Sequence, residues 1–307
     1  MRCKLIEDEA KETMIIKAAP PVSRIGSHVA VAGGLVRKGL AEAAEVGAEV
    51  IQIFVGSPRG WAPPRIEPGA AREFRERCEA LELPVFVHAA YLINLAAPQE
   101  RTLDLSVEAL TATLHAAGLV GARGVVVHAG SSVVPGHEDA LRRVRSSFKR
   151  VLEGSPASVR LLLEPTAGGG RSLASTLEST AEYLDAVDDV RVGVCLDTCH
   201  LHAAGEALGE PGRLAAGIAQ LTSDIGAGRI GLVHVNDSKD ACGSRRDRHE
   251  SLGSGQLGAR AFEALFAVPE LAGVPMVVET PTHAPDVAFL NRVRASRPMS
   301  AAARPMP

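Results

Sequence analysis

Eight short apolar runs, spread along almost the whole chain, constrain its fold more than any other feature. Most are separated by amphipathic segments of helical length, and no linker-like segment interrupts the pattern. In a chain of 307 residues this alternation predicts a single (β/α)8 (TIM) barrel. A doubly wound sheet would need fewer strands and usually a phosphate-binding loop after the first one. The predicted strands are 24–31, 50–56, 84–91, 124–130, 160–166, 192–200, 230–237 and 274–280.

The segments between these runs predict helices that cover the barrel. Apolar residues make up 46% of the chain and aromatic residues only 3%, so Val, Leu, Ile and Ala must build the core, as suits buried parallel strands. Residues 25–295 are predicted to form one domain, preceded by an extension over residues 1–24 and followed by a disordered tail over 296–307. Predicted helices include 35–46, 70–82, 103–120, 138–152, 175–187 and 259–267.

Cysteine usage and hydropathy indicate the compartment. The chain has five cysteines, an odd number without a C-x-x-C pair, which argues against a disulfide framework. No apolar run approaches the roughly 18–20 residues that a membrane span needs, and the N-terminus lacks the apolar core of a signal peptide. We therefore predict a cytoplasmic protein without a membrane partner. The net charge of −3 does not exclude nucleic acid, because three zinc ions would change it to +3.

Polar residues follow six of the predicted strands, at the end where barrel enzymes carry their catalytic groups. A single histidine there is more often a hydrogen-bonded core residue, and a single glutamate can pair with an arginine. Nine such residues on one face of one barrel point instead to metal ions, which the loop motif Asp247-Arg248-His249 also favours. The nine are His88, His128, Glu164, Asp197, His200, His234, Asp247, His249 and Glu279.

The chemistry of these nine residues predicts which metal they bind and which kind of substrate the metal centre attracts. Four carboxylates packed together without cations would repel one another, and several would protonate. Mixed imidazole and carboxylate ligands favour Zn²⁺, with Mn²⁺ or Fe as lesser options. Three ions with three or four ligands each and one bridging carboxylate fit the count. Their charge surplus of about +2 calls for an anion such as a phosphodiester, which paired ions hydrolyse well.

One motif suggests a different ligand. Residues Gly253 to Gly258 match G-x-G-x-x-G, but a dinucleotide fingerprint must directly follow a strand near the start of a βαβ unit. Here the motif follows the Asp247-Arg248-His249 loop. We interpret it as a flexible turn into the last helix and expect no nucleotide cofactor.

Four blocks of sequence carry a resemblance to a known family. GSHVAVAGG, YLINLAAP, VGVCLDTCHLHAAG and HVNDSKDACGSRRDRHESLGSGQLG resemble endonuclease IV, the trinuclear-zinc apurinic/apyrimidinic endonuclease of base-excision repair. The resemblance extends over about residues 25–292. It implies three zinc sites: His88, His128 and Glu164; Glu164 as a bridge to Asp197, His234 and Glu279; and His200, Asp247 and His249.

The resemblance also implies a reaction. The family uses a metal-bound hydroxide to hydrolyse the phosphodiester 5′ to an abasic site in double-stranded DNA, and it trims blocked 3′ ends. Glu164 would then steer or deprotonate the attacking water, in a monomer associated with the nucleoid. Arg59 would enter the duplex where the base is missing, Tyr91 and Asn94 would contact the damaged strand, and His28 would lie at the mouth of the site.

Departures from the family pattern and two rival functions remain open. Ala129 and Ser132 stand where the family often has Pro and His, and Pro165 where Asn is frequent. Because residues beside metal ligands orient them, these departures leave the reaction rate and the metal preference open. A divalent-metal sugar isomerase or epimerase of the xylose-isomerase type would use only Glu164, Asp197, His234 and Glu279. A catalytically idle DNA-damage binder on the same scaffold would be expected to lack a ligand.

Overall fold

Eight parallel strands close into a barrel in the computed structural model, which describes residues 21–210 and 212–296. Around the barrel the order is β1-β10-β7-β6-β5-β4-β3-β2, and each of the eight predicted runs contains one of these strands. The predicted (β/α)8 barrel is therefore confirmed. The barrel strands are β1 (Ile25–His28), β2 (Ile51–Ile53), β3 (Val85–His88), β4 (Gly124–His128), β5 (Arg160–Glu164), β6 (Val192–Asp197), β7 (Ile230–His234) and β10 (Met276–Val278), while β8 (Asp237–Ser238) and β9 (His249–Glu250) form a separate antiparallel pair.

Helices cover the barrel because each buries one apolar stripe against the strands. In α4, for example, Val144, Phe148 and Val151 recur at helical spacing and are buried. A π-helical segment, Leu35–Leu40, leads into the first α-helix. The helices are α1 (Ala41–Val46), α2 (Pro68–Ala80), α3 (Glu100–Leu119), α4 (His137–Glu153), α5 (Leu177–Val187), α6 (Thr198–Ala204), α7 (Arg213–Ile225), α8 (Ala259–Leu265) and α9 (His283–Ser296).

Inside the barrel, the side chains form two successive layers, one apolar and one polar. Because successive strand residues point to opposite faces, residues two apart share a face. The first set, called here the apolar layer, is a buried cluster of its own: Val50, Phe86, Val126, Leu162, Cys195, Leu232 and Val277. Two residues further along each strand lies the second set, the polar layer: Gln52, His88, His128, Glu164, Asp197, His234 and Glu279, which His28 of β1 completes.

The two ends of the described chain meet at the end of the barrel that lies opposite the polar layer. The Ser23 hydroxyl donates to the Leu271 carbonyl (3.1 Å), and the Arg294 guanidinium donates to the Ser23 carbonyl (2.8 Å). The predictions for residues 1–20 and 297–307 lie outside the described residues. Among the helices that the structure describes, none has the length and apolar character that crossing a membrane requires.

Candidate metal centre

Glu164 lies at the centre of the polar layer and is fully buried. Its Oε2 atom lies 3.1 Å from His88 Nε2 and 3.4 Å from His128 Nε2. Its Oε1 atom faces other imidazoles, 3.1 Å from His234 Nδ1 and 3.3 Å from His200 Nδ1. The two oxygens of one carboxylate therefore face two separate groups of potential ligands.

A second group forms around His234 Nδ1. This atom lies 3.1 Å from Glu164 Oε1, 3.3 Å from Glu279 Oε2 and 3.8 Å from Asp197 Oδ2. Asn236 holds two of these acids, since its Nδ2 donates to Asp197 (2.7 Å) and its Oδ1 accepts from the Glu279 backbone N–H (2.8 Å). The group is thus braced across three strands that are distant in sequence.

The third group combines a helix and a loop. Asp197 caps α6 by accepting from the His200 backbone N–H (2.8 Å), which places His200 at the start of the helix beside the barrel axis. Asp247 lies between two imidazoles, with Oδ2 3.2 Å from His200 Nε2 and Oδ1 3.2 Å from His249 Nε2. The pairing of β8 with β9 presents His249. The predicted strand over 192–200 was therefore too long, because it ends at Asp197 and α6 begins at Thr198.

Arg248 braces the loop that carries Asp247. Its guanidinium donates to both oxygens of Asp240, through Nε at 2.7 Å and Nη2 at 2.5 Å. A two-point contact of this kind fixes orientation as well as distance.

The spacing of these atoms fits zinc. Two ligands each about 2.1 Å from a tetrahedral ion lie about 3.4 Å apart, and most of the contacts above are 3.1–3.4 Å. His249 Nε2 is buried and, among the described residues, has no hydrogen-bond partner of good geometry. A buried nitrogen of this kind is rarely left unsatisfied, so it is available to a cation. Among the described residues, three of four groups that could hold an ion comprise the nine predicted ligands: His88, His128 and Glu164; Glu164, Asp197, His234 and Glu279; and His200, Asp247 and His249. The fourth group joins Cys199 to Asp197 and His249, which the other groups already use.

The electrostatics of the centre also favour cations. Burial opposes charge on every group here, yet the neighbouring imidazoles hold the pKa of Glu164 well below its ordinary value. Conversely, although burial works against it, Asp247 and the other nearby carboxylates raise the pKa of His249 to about 9, and the pKa of His200 is raised well above its ordinary value. The carboxylates thus need positive charge beside them, either from imidazolium groups or from metal ions that displace those protons.

The G-x-G-x-x-G loop has a structural partner of its own. The backbone N–H groups of Gly253 and Gly255 donate to Asp237 Oδ2 (both 3.0 Å), and that of Leu257 donates to Asp237 Oδ1 (2.9 Å). A buried carboxylate thus satisfies three backbone N–H groups of this loop. The loop leads into α8, which α9 follows, so the interpretation as a turn into the last helix was wrong about which helix it precedes.

Two clefts give access to the centre. A cavity of about 270 Å³ opens directly over Glu164 and its neighbours, with Tyr91 at its wall. A larger cleft of about 630 Å³ shares Tyr91, His249 and Glu279 with it. This cleft also includes His28 and Phe54, whose rings pack with centroids 4.5 Å apart. An extended ligand can therefore reach the metal groups from the side of the β1 and β2 loops.

Of the four predicted DNA-contacting residues, His28 and Tyr91 line these clefts, whereas Arg59 and Asn94 lie on loops. Arg59 is exposed in the loop after β2, and Tyr91 is 50% exposed with its ring stacked on His128 at 5.7 Å. Partial burial raises the pKa of Tyr91 to about 12, so its hydroxyl stays a donor. Asn94 instead joins two loops, because its Nδ2 donates to the Ser131 carbonyl (2.9 Å) and its Oδ1 accepts the Ser131 N–H (3.2 Å). Among the described residues, the second amide hydrogen of Asn94 makes no hydrogen bond.

The sequence analysis did not identify Gln52 or Asn236 as parts of the centre. Gln52 could have been found from its position, because it lies as far along its strand as the predicted ligands lie along theirs. The Pro165 departure has a simple structural reading, since its backbone carbonyl accepts from His200 Nδ1 (3.0 Å). A backbone acceptor is present whatever the side chain, so proline there still holds His200. Ala129 is likewise fixed through its backbone, with its N–H on the Glu164 carbonyl (2.9 Å).

Comparison with known proteins first defines the class. The family described as "Xylose isomerase-like TIM barrel" matches residues 40–300. A solved D-allulose 3-epimerase from Methylomonas sp. shares the fold, with a TM-score of 0.63 at 17% identity and coverage of 90% of this chain and 91% of that one. The protein is therefore a xylose isomerase-like barrel, and at this identity the epimerase likeness shows the fold alone.

More similar relatives define the particular family. The "Probable endonuclease 4" of Streptomyces avermitilis is 44% identical over 288 residues, which cover 90% of this chain and 93% of that protein. The crystal structure of endonuclease IV from Thermus thermophilus superimposes with a TM-score of 0.77 at 35% identity, covering 89% of this chain and 98% of that one. The chain belongs to the endonuclease IV family.

Proposed function

We propose that this protein is a zinc-dependent DNA-repair endonuclease that cuts the phosphodiester 5′ to an abasic site and trims blocked 3′ ends. The observation that carries the proposal is the arrangement of Glu164, whose two oxygens face two separate groups of imidazoles and acids, in a member of the endonuclease IV family. A shared carboxylate at the centre of nine donors is the arrangement that a cluster of ions requires.

Each group of residues has a place in this proposal. His88 and His128 with Glu164 would hold one zinc ion, and Glu164 with Asp197, His234 and Glu279 a second. His200, Asp247 and His249 would hold the third. When bound, the ions would activate water and stabilise the negative charge that develops on the phosphate and on the departing 3′-oxygen.

The protein's own side chains would orient the reactants. Glu164, fully buried among positive neighbours, stays a carboxylate and can accept a hydrogen bond from the attacking water. A carboxylate in this position would steer the water or take its proton. The Tyr91 hydroxyl, which keeps its proton, lies at the wall of the same cavity and can donate to a phosphate oxygen.

The cleft supports the proposal of an abasic substrate. A nucleotide without a base loses little stacking when it leaves the duplex, so extruding it costs less than flipping a normal nucleotide. The cleft of about 630 Å³ beside the metal groups offers room for the extruded sugar and phosphate. Arg59, exposed on the loop beside Tyr91, would enter the gap that the missing base leaves.

The test is metal analysis of the purified protein together with incision of a duplex that bears one abasic site. We expect about three zinc ions per chain and a cut 5′ to the lesion. His128→Ala should lower both zinc content and incision. His115→Ala is the matched control, because this exposed histidine on α3 lies outside the nine donors, donates to the Gly154 carbonyl (2.8 Å) and should change neither.

A sugar epimerase remains the rival that the fold permits. It would need only the group of Glu164, Asp197, His234 and Glu279, and would leave the other five donors without a function. One or two Mn²⁺ or Mg²⁺ ions with turnover of a ketose, and no incision, would establish the rival. Tight binding of the abasic duplex without cutting would instead identify an idle damage binder. The predicted monomer and the predicted cytoplasmic location stay predictions.

A further inference from the structure

Gln52 is the residue that β2 contributes to the polar layer, and it is not one of the nine proposed ligands. It is fully buried, two residues after Val50 of the apolar layer. A buried amide side chain is unusual in a barrel interior unless its polar atoms are satisfied. The hydrogen-bond partners of the Gln52 amide therefore indicate its role.

Three hydrogen bonds use nearly all the capacity of this amide. Gln52 Oε1 accepts from His234 Nε2 (2.9 Å), while Gln52 Nε2 lies 2.7 Å from Glu279 Oε1 and 3.0 Å from His28 Nδ1. Exchanging the amide oxygen and nitrogen would set an oxygen against the Glu279 carboxylate. Glu279 therefore fixes which end of the amide is the donor.

This orientation determines the tautomer of His234. Because Gln52 Oε1 only accepts, His234 Nε2 carries a hydrogen, so a cation that displaces the proton from Nδ1 finds the lone pair there. Nδ1 is the atom that faces Glu164, Asp197 and Glu279. The other Gln52 bond holds Glu279 against the same group. Histidines that bind metals are usually held in this way through their second nitrogen, and loss of such a partner typically weakens metal binding by about 10–100-fold.

We infer that Gln52 is a positioning residue of the second metal group, which presents His234 Nδ1 and Glu279 to the cation. The inference rests on the proposed function in that it takes this group to hold zinc. It predicts that removing the amide weakens zinc binding at one of three sites and leaves the other two intact.

The test compares the zinc-loaded wild type with Gln52→Met, an unbranched replacement that neither donates nor accepts. Competition with a chelator measures zinc affinity, and ¹⁵N NMR of labelled histidines reports which ring nitrogen carries hydrogen. We expect about a 10–100-fold loss of affinity for one zinc ion and a changed His234 signal. Ser27→Ala is the control, because Ser27 is buried on the neighbouring strand β1 and its hydroxyl has no hydrogen-bond partner among the described residues.

Further outcomes separate the possibilities. Wild-type zinc affinity and histidine signals in Gln52→Met would overturn the inference. If that variant fails to fold, Gln52→Asn carries the test, because it keeps an amide of similar polarity but is one carbon shorter and cannot hold His234 and Glu279 together. Wild-type zinc affinity and histidine signals in Gln52→Asn would overturn the inference as well. A wild type that holds three zinc ions but leaves the abasic duplex uncut would contradict the proposed function alone, whereas a wild type without zinc would contradict both.

Discussion

The apolar layer and the polar layer lie on the same strands, two residues apart, yet they do different work. Leu162 and Glu164 on β5 illustrate the contrast, since both are buried but Leu162 belongs to an apolar cluster and Glu164 faces four imidazoles. The apolar layer closes the barrel through burial, which contributes roughly 1.5–3 kcal/mol per large side chain. The polar layer contains charges that burial destabilises and that only cations or protons can offset.

We therefore expect that stability on the one hand, and metal binding and catalysis on the other, depend on different residues of a single strand. Changes in the apolar layer should alter the free energy of unfolding without altering the reaction of the molecules that remain folded. Changes in the polar layer should alter metal binding and cutting even in a folded barrel. The predictions that follow test this separation.

The largest effect is expected for Glu164→Gln. This variant keeps the size of the side chain but removes the charge that two metal groups share, so incision should fall by at least about 10²–10³-fold. Zinc content should fall as well. Incision kinetics and metal analysis on the folded variant provide the measurement, and normal cutting would refute the shared role of Glu164.

Leu162→Ala tests the other layer of the same strand. The cavity it leaves should lower the free energy of unfolding by about 2–5 kcal/mol, as measured by chemical denaturation. The fraction that remains folded should bind zinc and cut DNA like the wild type. Loss of zinc from the folded variant would show that the two layers are not independent.

Zinc affinity should fall as pH falls. The pKa of His249 is raised to about 9, and that of His200 is also raised, so protons already compete with metal below about pH 9. Binding should release protons, with affinity decreasing progressively from about pH 9 to pH 6. Chelator competition and calorimetry across this range measure the effect, and affinity independent of pH would contradict it.

The smallest effect is expected for Arg59→Ala, which lies outside both layers. Removing this exposed guanidinium should weaken binding of the abasic duplex by about 10–100-fold, with zinc content unchanged. Arg77→Ala, in the last turn of α2, removes the same charge from the other end of the barrel and should leave binding near wild type. Equal losses in the two variants would mean that Arg59 contributes only general charge.

The sequence predicted all eight barrel strands and the convergence of nine polar residues at their ends, because periodicity and strand-end residues are local properties. It did not predict α7 or α9, and the 192–200 prediction merged β6 with the start of α6. It also missed Gln52, whose partners His28, His234 and Glu279 lie on strands that only barrel closure brings to β2. Asn94 shows the same limit, since its bonds to Ser131 depend on how two loops pack.

Anomalous diffraction at the zinc edge, from crystals of the purified protein, would locate the bound ions themselves. We expect three peaks, one at each group, with Glu164 between the first two. A single peak or none among these nine side chains would contradict the three-zinc centre and the repair function built on it.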